Sequence, residues 1–188
     1  MNDLIKRAMR GDAQAFSDLI QQHTQTLYKT ARSILRTDAD VADAIQETIL
    51  ACWEGLRHLR EPRYFRTWMT RILVNKCYDQ IRSRSLYAEL DEAQEPAQTE
   101  VSYENIEWKE TLKTIDEKYR LPLMLYYIEG FKTREIAQIL DMPEATVRTR
   151  LARGRSVVAE QLGYSGRKKE ERRAPRVNAI QTQRGDVL

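Results

Sequence analysis

Arg148, Thr149, Ala152 and Arg153 lie close together in the stretch EATVRTRLARGRSVVAEQL, residues 144–162. At about 100° per helical residue, Ala145, Thr149, Ala152 and Arg153 point one way, with Arg148 at the margin and Arg150 and Arg155 towards the flanks. Val147, Leu151, Val158 and Leu162 form a narrow apolar stripe on the other side. The chemistry this offers is recognition without bond making. Guanidinium groups beside small side chains let a helix enter a major groove and bring donors to guanine edges or phosphates. A solvated basic face on a structural helix is the alternative. The preceding residues favour DNA. Thr133 can cap a helix whose apolar side is Ile136, Ala137, Ile139 and Leu140, and Asp141-Met142-Pro143 breaks it. Pro143 and Glu144 suit the first turn of the next helix. Helix, tight turn, basic helix is the helix-turn-helix pattern.

A second constellation is Arg71, Asn75, Tyr78 and Arg82, spaced i, i+4, i+7 and i+11 along a long helix from about Tyr64 to Arg84. Two guanidiniums, an amide and a phenol ring can together hold phosphates and contact unpaired bases. A basic solvated face is again the alternative, and Trp68 reads as core with Phe65, Met69, Ile72 and Leu73. The proline-containing loop His58-Leu59-Arg60-Glu61-Pro62-Arg63 precedes this helix. A third group is acidic. The helix around Asp40 to Leu56 turns Val41, Ile45, Ile49 and Trp53 towards a core and carries Asp40, Asp43, Gln46 and Glu47 on its other surfaces. Carboxylates in a first turn can be simple dipole partners. Gln46 and Glu47 extend the acidic surface to mid-helix, so a basic protein partner stands as an equal alternative.

Catalytic patterns are missing. The sequence has no glycine-rich phosphate loop, no HExxH and no GxSxG, and its scattered carboxylates form no metal or acid–base pair. Neither enzyme chemistry nor a cofactor is expected. Cys52 and Cys77, the two cysteines, lack CxxC spacing and read as reduced, partly buried thiols rather than zinc ligands. Thirty-one basic residues against 28 acidic ones leave a net charge of +3, too little to imply nucleic acid by itself. No apolar run approaches the roughly 20 residues needed to cross a bilayer, and no signal peptide is visible. A cytoplasmic protein without membrane insertion is expected.

The elements that must position these groups are helical throughout, with few glycines and prolines. Asn2 to Met9 reads as a first helix, ended by Gly11. Asp12 caps a second with Phe16, Leu19, Ile20 and His23 at helical spacing, continued by Leu27, Tyr28, Ala31, Ile34 and Leu35 to Arg36. His23 reads as structural or surface. Thr37 or Asp38 restarts the chain. Ala88 to Glu104 has six carboxylates and no lysine or arginine, as in a flexible acidic linker. Trp108, Leu112 and Ile115 suggest a further helix, stopped by residues 116–120 and Pro122, and Leu121 to Ile128 forms the next, ended by Gly130. Beyond Leu162 the chain reads as a disordered basic tail. The expected fold is all-α: a helical domain over 1–85, a linker over 86–104, a second domain with the helix-turn-helix over 105–163, and the tail 164–188.

The order DVADAIQETILACW, FRTWMTRILVNKCYDQIR, acidic linker, TREIAQIL-DMPEATVRTRLARGR resembles the extracytoplasmic-function (group 4) sigma factors of bacterial RNA polymerase, in the sigma-70 family. The likeness covers about Met1 to Leu162. It implies an alternative sigma factor that binds core polymerase, through its largest and second-largest subunits, and directs promoter-specific initiation. Asp40, Asp43, Gln46 and Glu47 fall where the family engages the polymerase clamp helices. The His58–Arg63 loop, with His58, Leu59, Arg60 and Arg63, matches the segment that captures a flipped base of the −10 element. Arg71, Asn75, Tyr78 and Arg82 lie on the helix with the remaining −10 contacts. Arg148, Thr149, Ala152 and Arg153 occupy −35-reading positions. Pro62 and Ala152 are choices that bear on promoter preference. The resemblance further implies an anti-sigma partner, often membrane-bound, that would hold the protein at the membrane until it joins the nucleoid. Rival readings are a stand-alone helix-turn-helix regulator working without polymerase, and a recombinase or nuclease carrying such a module.

Overall fold

The computed structural model describes residues 2–88 and 115–162, with side chains as far as Arg84 in the first stretch. Within these residues all regular structure is helical. The acidic segment after Ala88, Trp108, Leu112 and the basic tail lie outside the described residues.

Four helices form the N-terminal unit: α1 (Asn2–Met9), α2 (Ala13–Arg32), α3 (Asp38–Gly55) and α4 (Phe65–Ala88). Asp12 caps α2, its carboxylate accepting the Ala15 N–H at 3.0 Å while Arg7 donates to it at 2.7 Å. Gly11 supplies the left-handed turn (φ 93°) between α1 and α2. The second helix stops at Arg32, short of Arg36, and Ile34 and Leu35 enter the core from the connection instead. Thr37 caps α3. The buried stripe of α3 is Val41, Ala44, Thr48 and Cys52, with Ile45 and Ile49 half-buried. Trp53, expected in the core, is 41% exposed and packs at the rim against Phe16, with ring centroids 5.0 Å apart. Small residues let α3 sit close on α2 and α4, which leaves no room for an indole. Two short 3-10 turns, Leu56–His58 and Pro62–Tyr64, shape the loop into α4. Phe65, Met69, Leu73, Val74 and Cys77 of α4 are buried.

The C-terminal unit departs further from expectation. Residues 117–120 do not stop a helix; they begin α5 (Glu117–Leu123), capped by Asp116, whose carboxylate accepts the Lys118 N–H at 3.0 Å. Pro122 lies inside this helix, which continues as a π-helical turn over Met124–Ile128. The wider i→i+5 turn tolerates a disrupted hydrogen-bond ladder. Gly130, at φ 70°, then reverses the chain into α6 (Thr133–Ile139). Asp141, also left-handed at φ 49°, makes the turn into α7 (Glu144–Gln161). Aspartate tolerates that conformation better than most side chains. Thr133 is the first residue of α6 rather than its cap. Its hydroxyl donates to Glu144 at 2.7 Å, pinning the two helices of the motif together.

Candidate nucleic-acid interface

The second helix of the motif, α7, is held by Val147, Leu151, Gly154 and Val158, all buried. Leu162, placed on this stripe by periodicity, is 43% exposed. Gly154 takes the inner position that periodicity left empty. A Cβ there would stand 2.8 Å from Leu123 Cδ1 and 3.3 Å from Tyr119 Cβ, so the backbone of α7 lies directly on α5. With that face fixed, Arg148, Thr149, Ala152 and Arg153 are all exposed. Arg148 is anchored by Glu144 at 2.7 Å, one turn earlier, and Thr149 donates back to the Ala145 carbonyl at 3.0 Å. Among the described residues Arg153 has no ion-pair partner. Arg155 leans away, donating to the Tyr127 hydroxyl at 3.3 Å.

In the N-terminal unit, His58, Arg60 and Arg63 of the loop are exposed, while Leu59 is half-buried and packs on the core. Leu59 therefore tethers the loop between its two 3-10 turns. Tyr64, which periodicity treated as the start of a helix, is 45% exposed and carries the Arg63 guanidinium 4.9 Å from its ring centroid. An aromatic face beside exposed arginines is a stacking platform. Its sequence signal is the exposed aromatic immediately following Pro62-Arg63. On α4, Arg71, Asn75 and Arg82 are exposed, and Arg82 pairs with Asp79. Tyr78 is half-buried. Burial, reinforced by the negative charge of the Glu117 carboxylate, pushes its hydroxyl pKa up.

The acidic helix separates into two roles. Asp43, Gln46 and Glu47 are exposed around a groove that Leu50, Asp79, Gln80, Ser83 and Arg84 also line. Glu47 pairs with Lys76 of α4 at 3.0 Å. Asp40 lines the same groove but from its floor, buried at 6% exposure. Its carboxylate accepts from the Thr37 hydroxyl at 2.6 Å and from Arg84, which ties the start of α3 to the end of α4. Cys52 and Cys77 are buried, and burial pushes both thiols up to about 12, where they stay protonated. Among the described residues no cluster of His, Cys, Asp or Glu has the arrangement of a metal site.

Residues 19–87 match Sigma-70 region 2, and residues 106–157 match Sigma-70 region 4. The extracytoplasmic-function RNA polymerase sigma factor SigM of Mycobacterium tuberculosis is 30% identical over 168 residues, covering 86% of this chain and 84% of SigM. The chain belongs to the extracytoplasmic-function sigma factors. SigW of Bacillus subtilis, another sigma factor of this family, is 28% identical over 177 residues, 94% of its own length. Among solved structures, CnrH in complex with the cytosolic domain of CnrY shares 29% identity and a TM-score of 0.64, covering 86% of this chain and 96% of CnrH. The sigma factor RpoE bound to the anti-sigma factor NepR, from Bartonella quintana, shares the fold at 22% identity and a TM-score of 0.67 over 79% of this chain and 96% of that one. The sigma factor is accordingly an initiation factor that gives RNA polymerase its promoter specificity, and the rival readings as stand-alone regulator and as nuclease fall away.

Proposed function

We propose that this sigma factor grips a promoter at two points while attached to core polymerase. In the C-terminal unit, Arg148, Thr149, Ala152 and Arg153 of α7 read the −35 duplex. In the N-terminal unit, the His58–Arg63 loop, with Tyr64 beside it, captures a flipped base of the −10 element. Arg71, Asn75, Tyr78 and Arg82 then hold the unpaired strand. Trapping an extruded base offsets an unstacking cost of a few kcal/mol. Asp43, Gln46 and Glu47 meet the basic clamp helices of the polymerase's largest subunit, with Asp40 fixing their helix in place. The observation that carries the reading is the exposure of Arg148, Thr149, Ala152 and Arg153 on one side of a helix whose opposite side is buried. An anti-sigma factor, such as the one bound to RpoE, fits as the regulator that covers these surfaces. The protein works in the cytoplasm as a non-catalytic subunit; no helix among the described residues is long and apolar enough to cross a membrane.

Promoter-fragment retention measured with and without core polymerase tests the two-point grip. Weak binding by the sigma factor alone and specific, salt-resistant retention by the holoenzyme are expected. Tight specific binding without polymerase would restore the stand-alone regulator.

A further inference from the structure

Glu144 opens α7 at the margin of the surface that carries Arg148 and Thr149, and one of its carboxylate oxygens takes two donors at once. The Thr133 hydroxyl, from the first residue of α6, donates to Glu144 Oε1 at 2.7 Å, and Arg148 Nη2 donates to the same oxygen at 2.7 Å. Three side chains are thereby linked in a row, from the first helix of the helix-turn-helix to the recognition surface of the second. The inner end of the row is shielded: Thr133 and Glu144 are half-buried, whereas Arg148 is exposed. The Thr133 hydroxyl, and after it the Arg148 guanidinium, hold the Glu144 carboxyl below the usual carboxylate range, with the charge of Arg134 adding to the effect. The carboxylate stays charged, and its bond to Arg148 is of the stronger, charge-assisted kind.

No other arginine of α7 is held in this way. One turn before Arg150, Arg153 and Arg155 stand Thr146, Thr149 and Leu151; only Arg148 has a carboxylate there. Glu144 uses a single N–H of the guanidinium, and the remaining donors have no partner among the described residues. An arginine side chain loses rotamer freedom when it binds, and one already held loses less. Exposed pairs at this spacing add little to helix stability, so the link fixes the direction of Arg148 more than it fixes the fold. We propose, on the −35 assignment made above, that Glu144 is a positioning residue: anchored by Thr133, it aims the Arg148 guanidinium at a guanine edge in the −35 major groove. The planar fork must meet guanine O6 and N7 together. A guanidinium that swings free reaches phosphates as readily as base edges, and discriminates less. Glu144 acts through Arg148 and does not itself touch the DNA.

The test uses holoenzyme assembled from the full chain and core polymerase. Its affinity is measured for a promoter fragment that it retains and for a set of the same fragment with each −35 base pair replaced in turn. Arg148→Ala should flatten the preference for guanine at one base pair by at least roughly fivefold, the lower end of what a good arginine–guanine pair contributes. Glu144→Ala should flatten the preference at that same base pair and leave the others near wild type. Combined with Arg148→Ala, it should add nothing there, because the two residues act as one unit. A uniform loss of affinity with every −35 preference intact would mark a structural role and overturn the proposal. An effect of Glu144→Ala that persists in the Arg148→Ala background would overturn it too, since the carboxylate would then read the base itself. If Glu144→Ala lowers the melting temperature, Glu144→Gln keeps the shape and the acceptor but loses the charge. Its preference at that base pair should fall between wild type and Arg148→Ala, and a wild-type preference has the same contrary force. Failure of the −35 assignment looks different: Arg148→Ala would then change no −35 preference at all, and both readings would fall together.

Discussion

Asp40 and Glu47 lie two helical turns apart on α3 and do different work. Glu47 is exposed and shares only a surface pair with Lys76, the kind of contact worth at most about 1 kcal/mol. Glu47→Lys should therefore leave thermal stability nearly unchanged while weakening assembly with core polymerase, as read by titration on a native gel. Asp40→Ala should do the reverse. It removes the acceptor of the half-buried Thr37 hydroxyl and of the largely exposed Arg84 guanidinium, at a cost of about 1 kcal/mol in denaturant unfolding. Sequence spacing placed both carboxylates outside the core; it could not show that Arg84, 44 residues away, would reach Asp40. On α7, Arg153→Ala should lower discrimination between matched and mismatched −35 duplexes by about 1–3 kcal/mol in holoenzyme binding, if its contact is bidentate. His23 is buried against Phe65, ring centroids 5.6 Å apart, and burial lowers its pKa below 6.5, with Arg66 adding to the effect and Glu129 opposing it. Below pH 6.5 the unfolded chain binds a proton that the folded chain resists, so stability falls as pH drops from 6.5 towards the folded pKa. Urea midpoints across that range should show the fall, and His23→Leu should flatten it.

At the scale of elements, α7 depends on a residue with no side chain. Gly154 brings its backbone onto Leu123 and Tyr119 of α5. Gly154→Ala gains about 1 kcal/mol of helix propensity and loses about 1–3 kcal/mol to overpacking. The net expectation is a lower melting temperature by calorimetry, with −35 binding weakened as α7 shifts. Helical periodicity finds large apolar side chains, and it correctly placed Val147, Leu151 and Val158 inside. It passes over a glycine whose contribution is the absence of atoms, and it carried the stripe one turn too far to Leu162. Pro122 misled in the opposite sense. A proline ordinarily ends a helix, yet here α5 runs through it into a π-helical turn because Leu121, Leu123 and Leu125 are buried on both sides of it. Tertiary burial outweighed the local rule. Capping was legible where the capping side chain accepts from its own helix, as Asp12 and Thr37 do, and misread where Thr133 bonds across to Glu144.

For the whole molecule, the all-helical class and the two regions were legible because amphipathic spacing and the helix-turn-helix break are local signals. How the units lie against each other was not. The contacts of Arg66, Thr67 and Arg71 with Glu129, Glu135 and Asp141 join residues more than 60 positions apart, and no local pattern encodes such pairings. As a sigma factor, the protein confers promoter choice on core polymerase, and this is the property to measure. It is tested most directly by run-off transcription with purified core enzyme on genomic fragments, followed by mapping of start sites. Discrete transcripts are expected that depend on the added protein, begin downstream of a shared pair of −35 and −10 elements, and weaken with Arg153→Ala. Transcription unchanged by the protein on every fragment would contradict it.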